Sequence, residues 1–174
     1  MSKNHWKFGL VILASAVAGA AACADGSGDP AVVSSDNGKY ADKDGNPTYK
    51  ISPDGIVDWY TFSGFRRYHS DCHVCHGPNG EGSSYAPALA DSLRTLSYVE
   101  FNEVVTNGRQ NVDAANDKVM PSFATNVNVM CYLDDIYVYL RARANNAIPG
   151  GRPPKREDKP EAAKQAEASC TGIK

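Results

Sequence analysis

The sequence lacks an excess of basic residues and has few histidines. Its 174 residues include four histidines, and 18 lysines and arginines are balanced by 20 acidic residues. This balance leaves no basic patch for nucleic acid and favours a soluble partner protein over an anionic membrane. The histidines other than His76 form no second Cys/His pair at zinc-ligand spacing. The absence of an internal repeat also excludes a repeat array.

The chain also lacks an apolar run that would cross a membrane comfortably. Residues 8–22 are mostly apolar, but the run is short and rich in alanine and glycine. Lysines precede it and small residues end it, which is the pattern of a secretory signal peptide. We predict cleavage after Ala24 and export to the periplasm. The alternative keeps Cys23 as a lipidated first residue, although Ala20 is a poor match to the large aliphatic residue usual in that position.

Five cysteines are an odd number for an exported protein, and two of them belong to one motif. Cys72-His73-Val74-Cys75-His76 is C-x-x-C-H, the attachment signature of a c-type haem. Thiols at this spacing can add to both vinyl groups of one porphyrin, which places His76 beneath the iron as an axial ligand. Thioredoxin-like sites share the pair of cysteines, but no buried strand precedes Cys72.

The two remaining cysteines, Cys131 and Cys170, are predicted to form a disulfide once Cys23 is removed with the signal peptide. The bridge would close a loop of roughly 40 residues and stabilise the fold by about 4 kcal/mol on the chain-entropy model. It would also link a polar tail to the haem domain. Two free thiols are the alternative, which an oxidising compartment disfavours.

Composition divides the chain into four predicted segments. These are a signal peptide (1–24), an N-terminal extension (25–55), a haem domain (56–146) and a Pro- and charge-rich tail (147–174). The extension contains a turn signal at 44–47, which predicts a hairpin or an extended arm. Asp42, Asp44 and Asn46 alternate as at the start of a calcium loop, but Pro53 stands where that loop needs an acidic residue. We therefore expect a plain turn.

Apolar periodicity predicts four helices. Asp58 is the candidate N-cap of the first, and Gly108 is placed to end the second. The predicted spans are 59–71, 95–107, 129–145 and, in the tail, 161–169.

The first and third predicted helices carry a second signal. Gly64, Tyr68 and Cys72 are spaced four apart and therefore share one helical face. A glycine allows another helix to approach closely, so Ile136 and Tyr139 are expected to meet this face. With C-x-x-C-H, the pattern resembles the crossed N- and C-terminal helices of class I cytochromes c. The resemblance implies an all-α, class I cytochrome c fold around one covalent haem c.

That resemblance also implies further site residues. Met120 is the expected sixth ligand, because Met120-Pro121 resembles the ligand loop of the class, with the proline breaking a helix. Met130, on the third helix, is more simply a packing residue. Thioether ligation stabilises ferrous iron and suits electron transfer. Pro87 resembles the proline whose carbonyl orients the ligand histidine. Arg109 could pair with a haem propionate or remain a solvated cation.

Longer stretches resemble one particular family, the four-cysteine cytochromes c related to methanol metabolism, which occur with lanthanide-dependent methanol dehydrogenases. The similar stretches lie at 38–49, 58–60, 68–77 and 129–143.

This resemblance extends over nearly the whole mature chain and implies a one-electron carrier rather than an enzyme. The expected donor is a methanol dehydrogenase containing pyrroloquinoline quinone (PQQ), which docks transiently. The expected acceptor is a downstream cytochrome or oxidase. We expect a monomer without a membrane span in its mature form. Two alternatives stay open: a carrier for another periplasmic dehydrogenase, and a haem enzyme or sensor with a labile sixth ligand.

Overall fold

The computed structural model describes residues 32–113 and 116–172, so the predicted signal peptide and Cys23 lie outside the described residues. Most of the regular structure is helical, with two small antiparallel sheets. None of the described helices is long and apolar enough to cross a membrane. The helices are α1 (Trp59–Asp71), α2 (His73–His76), α3 (Leu89–Ser92), α4 (Tyr98–Asn107), α5 (Val127–Met130), α6 (Leu133–Ala144) and α7 (Glu161–Thr171). The strands are β1 (Ser34–Asp36), β2 (Lys39–Ala41), β3 (Pro47–Thr48), β4 (Arg109–Asp113) and β5 (Asn116–Met120).

The crossing of α1 and α6 at Gly64 forms the centre of the core. A Cβ atom on Gly64 would lie 1.8 Å from the Asp135 carbonyl oxygen and 2.8 Å from Cβ of Tyr139, so the approach requires glycine. Tyr68, Ile136 and Tyr139 are fully buried beside it. The ring centroids of Tyr68 and Tyr139 are 5.4 Å apart. The crossing predicted from the spacing of these residues is therefore present.

The crossing also buries a carboxyl group, that of Asp135. This residue is 7% exposed. Burial raises the pKa of Asp135 to about 7, and the negative charges of Asp134 and Asp58 act in the same direction. A hydrogen bond with Ser63 and the charge of Lys39 oppose the rise without cancelling it. The carboxyl group of Asp135 therefore titrates near neutral pH in the folded protein.

Side-chain caps explain where the first two long helices begin. Helix α1 has the predicted bounds, and the Asp58 carboxylate accepts a hydrogen bond of 2.8 Å from the Thr61 amide. The second predicted helix starts later than expected, at Tyr98, because Ser97 and Glu100 form a capping box.

The third predicted helix is divided into α5 and α6, so the expectation of one continuous helix was wrong. Tyr132 leaves the helical conformation, with φ −131° and ψ 22°. Its ring lies under the guanidinium of Arg67, 3.5 Å from the ring centroid, and the preceding residue is held by a disulfide. The apolar periodicity of neighbouring residues cannot predict either the contact with Arg67 or the disulfide.

A buried ion pair joins the N-terminal sheet to α6. The Arg141 guanidinium donates to the Asp42 carboxylate at 2.7 Å and to the Pro47 carbonyl at 3.1 Å. The amides of Asp44 and Asn46 donate to the same carboxylate at 3.0 Å. Burial alone would raise the pKa of Asp42, but Arg141 and the two amides hold it below its ordinary value. The Asp42 carboxylate therefore has an arginine and two amides as partners, and the segment forms a turn.

The C-terminal tail is linked to the rest of the fold by a disulfide, by backbone hydrogen bonds and by an ion pair. Cys131 and Cys170 form a disulfide with a Cα–Cα distance of 5.8 Å. The Val57 amide donates to the Lys155 carbonyl at 3.2 Å, and the Val57 carbonyl accepts from the Glu157 amide at 2.9 Å. In α7, the Glu167 carboxylate pairs with Arg67 and with Lys159.

Candidate haem site

Helix α1 runs directly into the C-x-x-C-H segment. The Cys72 amide donates to the Tyr68 carbonyl at 2.9 Å, and the His76 amide donates to the Cys72 carbonyl at 3.1 Å. This turn gathers Cys72, Cys75 and His76 into one short segment. Both cysteines are free thiols, with Cys72 half-buried and Cys75 exposed. Burial raises the pKa of the Cys72 thiol to about 12, with smaller contributions from Asp71 and Cys75.

The ring of His76 is buried and oriented by one hydrogen bond. Its Nδ1 lies 3.0 Å from the carbonyl oxygen of Pro87. A carbonyl can only accept, so Nδ1 carries a proton, and in the neutral ring Nε2 keeps its lone pair. The structure therefore brings Cys72, Cys75, His76 and Pro87 together, and it leaves one imidazole nitrogen available to iron.

Gly82 explains how the Pro87 carbonyl reaches His76. Gly82 has φ +83°, and a Cβ atom there would lie 2.6 Å from the Ala88 amide nitrogen and 2.9 Å from the Pro87 carbonyl carbon. The Gly82 amide donates to the His76 carbonyl at 2.8 Å. The loop after the motif therefore folds back against His76. The sequence interpretation missed this residue, although three glycines within six positions (77, 80 and 82) signalled an unusual backbone.

Met120 and Arg109 lie directly opposite each other in the β4–β5 hairpin. Met120 is the last residue of β5, so the expectation that Pro121 breaks a helix was wrong. Gly108 ends α4 at φ +76°, where a Cβ atom would lie 2.6 Å from the Met120 carbonyl oxygen, and this close approach allows the hairpin to form. Pro121 ends the strand because it has no amide hydrogen to donate. Met120 is partly buried against the core.

The other two candidate residues, Met130 and Arg109, lie in the core and at the surface respectively. Met130, at the end of α5, is partly buried and packs against the core. Arg109 is exposed. Hydrogen bonds from Ser97, and more weakly the charge of Arg109, hold the pKa of Glu100 below its ordinary value.

The donor set fits a covalently held haem better than a bare metal ion. Within residues 32–113 and 116–172, no group of three or more His, Cys, Asp or Glu side chains could hold such an ion. The site offers instead two free thiols and one imidazole with an open nitrogen. Two thiols suffice for thioether bonds, and the imidazole suffices for one axial position.

Comparison with known proteins agrees with this chemistry. No protein-family model matches the chain. Cytochrome c-553I of Paracoccus denitrificans is 54% identical over 135 residues, which cover 78% of this chain and 60% of the relative. Cytochrome c-555 of Methylococcus capsulatus (strain ATCC 33009 / NCIMB 11132 / Bath) is 40% identical over 96 residues, which cover 55% of this chain and 72% of the relative.

A solved structure is similar as well. The crystal structure of the c-type cytochrome XoxG from Methylobacterium extorquens AM1 matches with a TM-score of 0.74 and 56% sequence identity. The match covers 80% of this chain and 85% of that chain. This chain therefore matches most of XoxG but spans only 60% of the length of cytochrome c-553I.

The α1–α6 crossing and the C-x-x-C-H turn define the class I fold of c-type cytochromes, and the similarity to XoxG confirms that predicted fold class. The chain belongs to the c-type cytochromes, in the four-cysteine family related to methanol metabolism that the sequence indicated. Its cofactor is covalently bound haem c.

Proposed function

We propose that the protein is a periplasmic, monohaem one-electron carrier, and not an enzyme. In this proposal it accepts electrons from a PQQ-dependent methanol dehydrogenase and passes them to a downstream cytochrome or oxidase. The observation that supports it best is the buried His76 ring, whose Nδ1 is held by the Pro87 carbonyl beside two free thiols. The methanol link rests on the family resemblance.

The residues of the chain would orient and tune the cofactor, because haem iron itself supplies the redox change. Cys72 and Cys75 would hold the macrocycle through thioether bonds. His76 would bind iron through Nε2, and the Pro87 carbonyl would increase the electron donation of this ring. Met120 would provide the sixth ligand, whose soft sulfur favours the ferrous state. With both of these side chains bound to it, the haem iron would be unsuited to oxygen or peroxide chemistry.

Electron exchange is expected beside Cys75, where the attachment segment reaches the surface. The neighbouring Val74 and the loop residue Tyr85 are 75% and 76% exposed. The Ser83 hydroxyl donates to the Cys75 carbonyl at 2.5 Å and accepts from the Tyr85 amide at 3.0 Å, which places Tyr85 close to Cys75. An exposed, uncharged patch of this kind suits a small and transient protein contact.

A reduction assay tests the proposed donor. The oxidised, haem-loaded protein is mixed with purified PQQ-dependent methanol dehydrogenase and methanol, and absorbance follows its reduction. We expect fast reduction by this enzyme and slow reduction by a quinoprotein dehydrogenase for another substrate. The reverse preference would show that the protein serves a different dehydrogenase. Rapid carbon monoxide binding by the native protein would indicate an open sixth position and favour a haem enzyme or sensor.

The proposed location rests on chemistry outside the cytoplasm. The Cys131–Cys170 bridge needs an oxidising compartment to persist. Fractionation of expressing cells is expected to recover the haem-loaded protein with periplasmic markers. Recovery with the membrane fraction would favour lipidation of Cys23 instead.

A further inference from the structure

We propose that Tyr68 is a positioning residue that holds both ends of the C-x-x-C-H segment at once. Its backbone carbonyl accepts the Cys72 amide at 2.9 Å. Its side-chain hydroxyl donates to the carbonyl of Gly77, the residue directly after His76. The inference rests on the proposed ligation of iron by His76 and goes beyond it, because it assigns to Tyr68 the positioning of the segment that carries this ligand.

The surroundings of Tyr68 keep its hydroxyl fixed and protonated. The side chain is fully buried at the α1–α6 crossing, and its ring packs against that of Tyr139. Burial, with smaller contributions from Tyr139 and Cys72, raises the pKa of Tyr68 well above its ordinary value. The hydroxyl therefore remains a donor across the physiological pH range.

The Gly77 carbonyl is the point from which the loop turns back toward Pro87. Gly77 has φ +79°, a backbone conformation that other residues rarely adopt. A Cβ atom there would also lie 2.7 Å from a carboxylate oxygen of Glu81. The same carbonyl accepts the Gly80 amide at 3.3 Å. Fixing this peptide fixes the start of the loop whose later part carries the Pro87 carbonyl to His76.

The consequence concerns the electronic character of the axial ligand. A firm hydrogen bond from Nδ1 of His76 to the Pro87 carbonyl makes the ring a stronger donor, which favours ferric iron. Without the Tyr68 hydroxyl, the loop start is less constrained and this hydrogen bond weakens. The reduction potential is then expected to rise, and the Nδ1 proton of His76 is expected to exchange faster.

Tyr139 provides a matched control for the loss of a hydroxyl. It is equally buried and packs against Tyr68, but its hydroxyl has no hydrogen-bond partner among the residues that the structure describes. Tyr68→Phe and Tyr139→Phe therefore remove the same atom from the same cluster, and only the first removes a hydrogen bond to the haem-binding segment.

The test compares the two haem-loaded variants with the native protein by redox titration and by proton NMR of His76. For Tyr68→Phe we expect His76 Nδ1–H exchange about tenfold faster, because the loss of one hydrogen bond of typical strength corresponds to a change of this order. We also expect a higher potential, where a tenfold change in a one-electron equilibrium equals about 59 mV. Tyr139→Phe should match the native protein in both measurements.

Equal values for the two variants, or a lower potential in Tyr68→Phe, would overturn the inference. If Tyr68→Phe fails to acquire haem, a measurement on the native protein tests the inference instead. The Tyr68 hydroxyl proton is expected to be protected from exchange with solvent. A rapidly exchanging proton would refute the hydrogen bond. These measurements use no dehydrogenase, so a negative result would not bear on the proposed electron donor. A native protein whose His76 does not bind iron would instead defeat the proposed site.

Discussion

Replacing Gly64 with alanine should force α1 and α6 apart. The new Cβ atom would lie 1.8 Å from the Asp135 carbonyl oxygen, about 1.6 Å short of the 3.4 Å at which ordinary contact begins. The contacting atoms belong to backbone and to Cβ of Tyr139, so no flexible side chain can move aside. The two helices must therefore separate at the centre of the core.

The free-energy balance of this substitution is unfavourable. Overpacking a core typically costs about 1–3 kcal/mol, and a gap above about 1 Å forfeits more than half of each dispersion contact. We therefore take about 3 kcal/mol for the separation. Alanine is a better helix former than glycine by about 1 kcal/mol, which offsets part of the loss. The net expectation for Gly64→Ala is a destabilisation of about 2 kcal/mol.

Thermal and guanidinium unfolding of the haem-loaded protein measure this change. A loss of about 2 kcal/mol corresponds to a fall in Tm of about 4–8 °C for a domain of this size. Ser70→Ala, at an exposed position of the same helix, controls for helix propensity and should leave Tm unchanged or slightly higher. A Gly64→Ala variant as stable as the native protein would refute the account of the crossing.

Three further substitutions probe the site, the buried carboxyl and the docking surface. Met120→Ala should open the sixth position, so that the ferrous protein binds carbon monoxide and the reduction potential falls with the loss of the soft sulfur. Asp135→Asn should remove a pH dependence of the stability. The Asp135 carboxyl group binds its proton more tightly in the folded protein than in the unfolded chain. The stability of the native protein therefore falls as the pH rises from about 4 to about 7. Between pH 5 and pH 8 the native protein should lose roughly 3 kcal/mol more than the variant, since each pH unit below the folded pKa corresponds to about 1.4 kcal/mol. Tyr85→Ser should slow reduction by the dehydrogenase several-fold at an unchanged potential.

Each of these outcomes has a matched comparison. Met130→Ala should leave the spectrum and carbon monoxide binding as in the native protein, and the opposite pattern would make Met130 the ligand. Parallel stability curves of native and Asp135→Asn protein between pH 5 and pH 8 would contradict the raised pKa of Asp135. Val119, exposed at 54% on β5, gives the control Val119→Ser for Tyr85→Ser. Equal rates of reduction by the dehydrogenase for the two serine variants would show that Tyr85 does not take part in docking.

Local signals were enough for the parts of the fold that depend on neighbouring residues. The bounds of α1 followed from its apolar spacing and from Asp58, whose carboxylate caps the helix through an amide three residues on. The α1–α6 crossing followed from Gly64, because a missing side chain in a buried helix face signals close approach.

Features that join distant residues could not be predicted from the sequence. The Arg141–Asp42 pair spans 99 positions, and neither residue has a local pattern that distinguishes it from a surface charge. The Tyr68 hydroxyl reaches Gly77 only because the packed core aims it there. The break at Tyr132 likewise depends on the Arg67 guanidinium and on the disulfide of Cys131.

Mass spectrometry of the mature protein, with peptide mapping after thiol alkylation, tests the central claim most directly. We predict one haem joined to the peptide that contains Cys72 and Cys75, with both thiols resistant to alkylation. Full-length mature protein with no added macrocycle, or with either of these thiols alkylated, would contradict it.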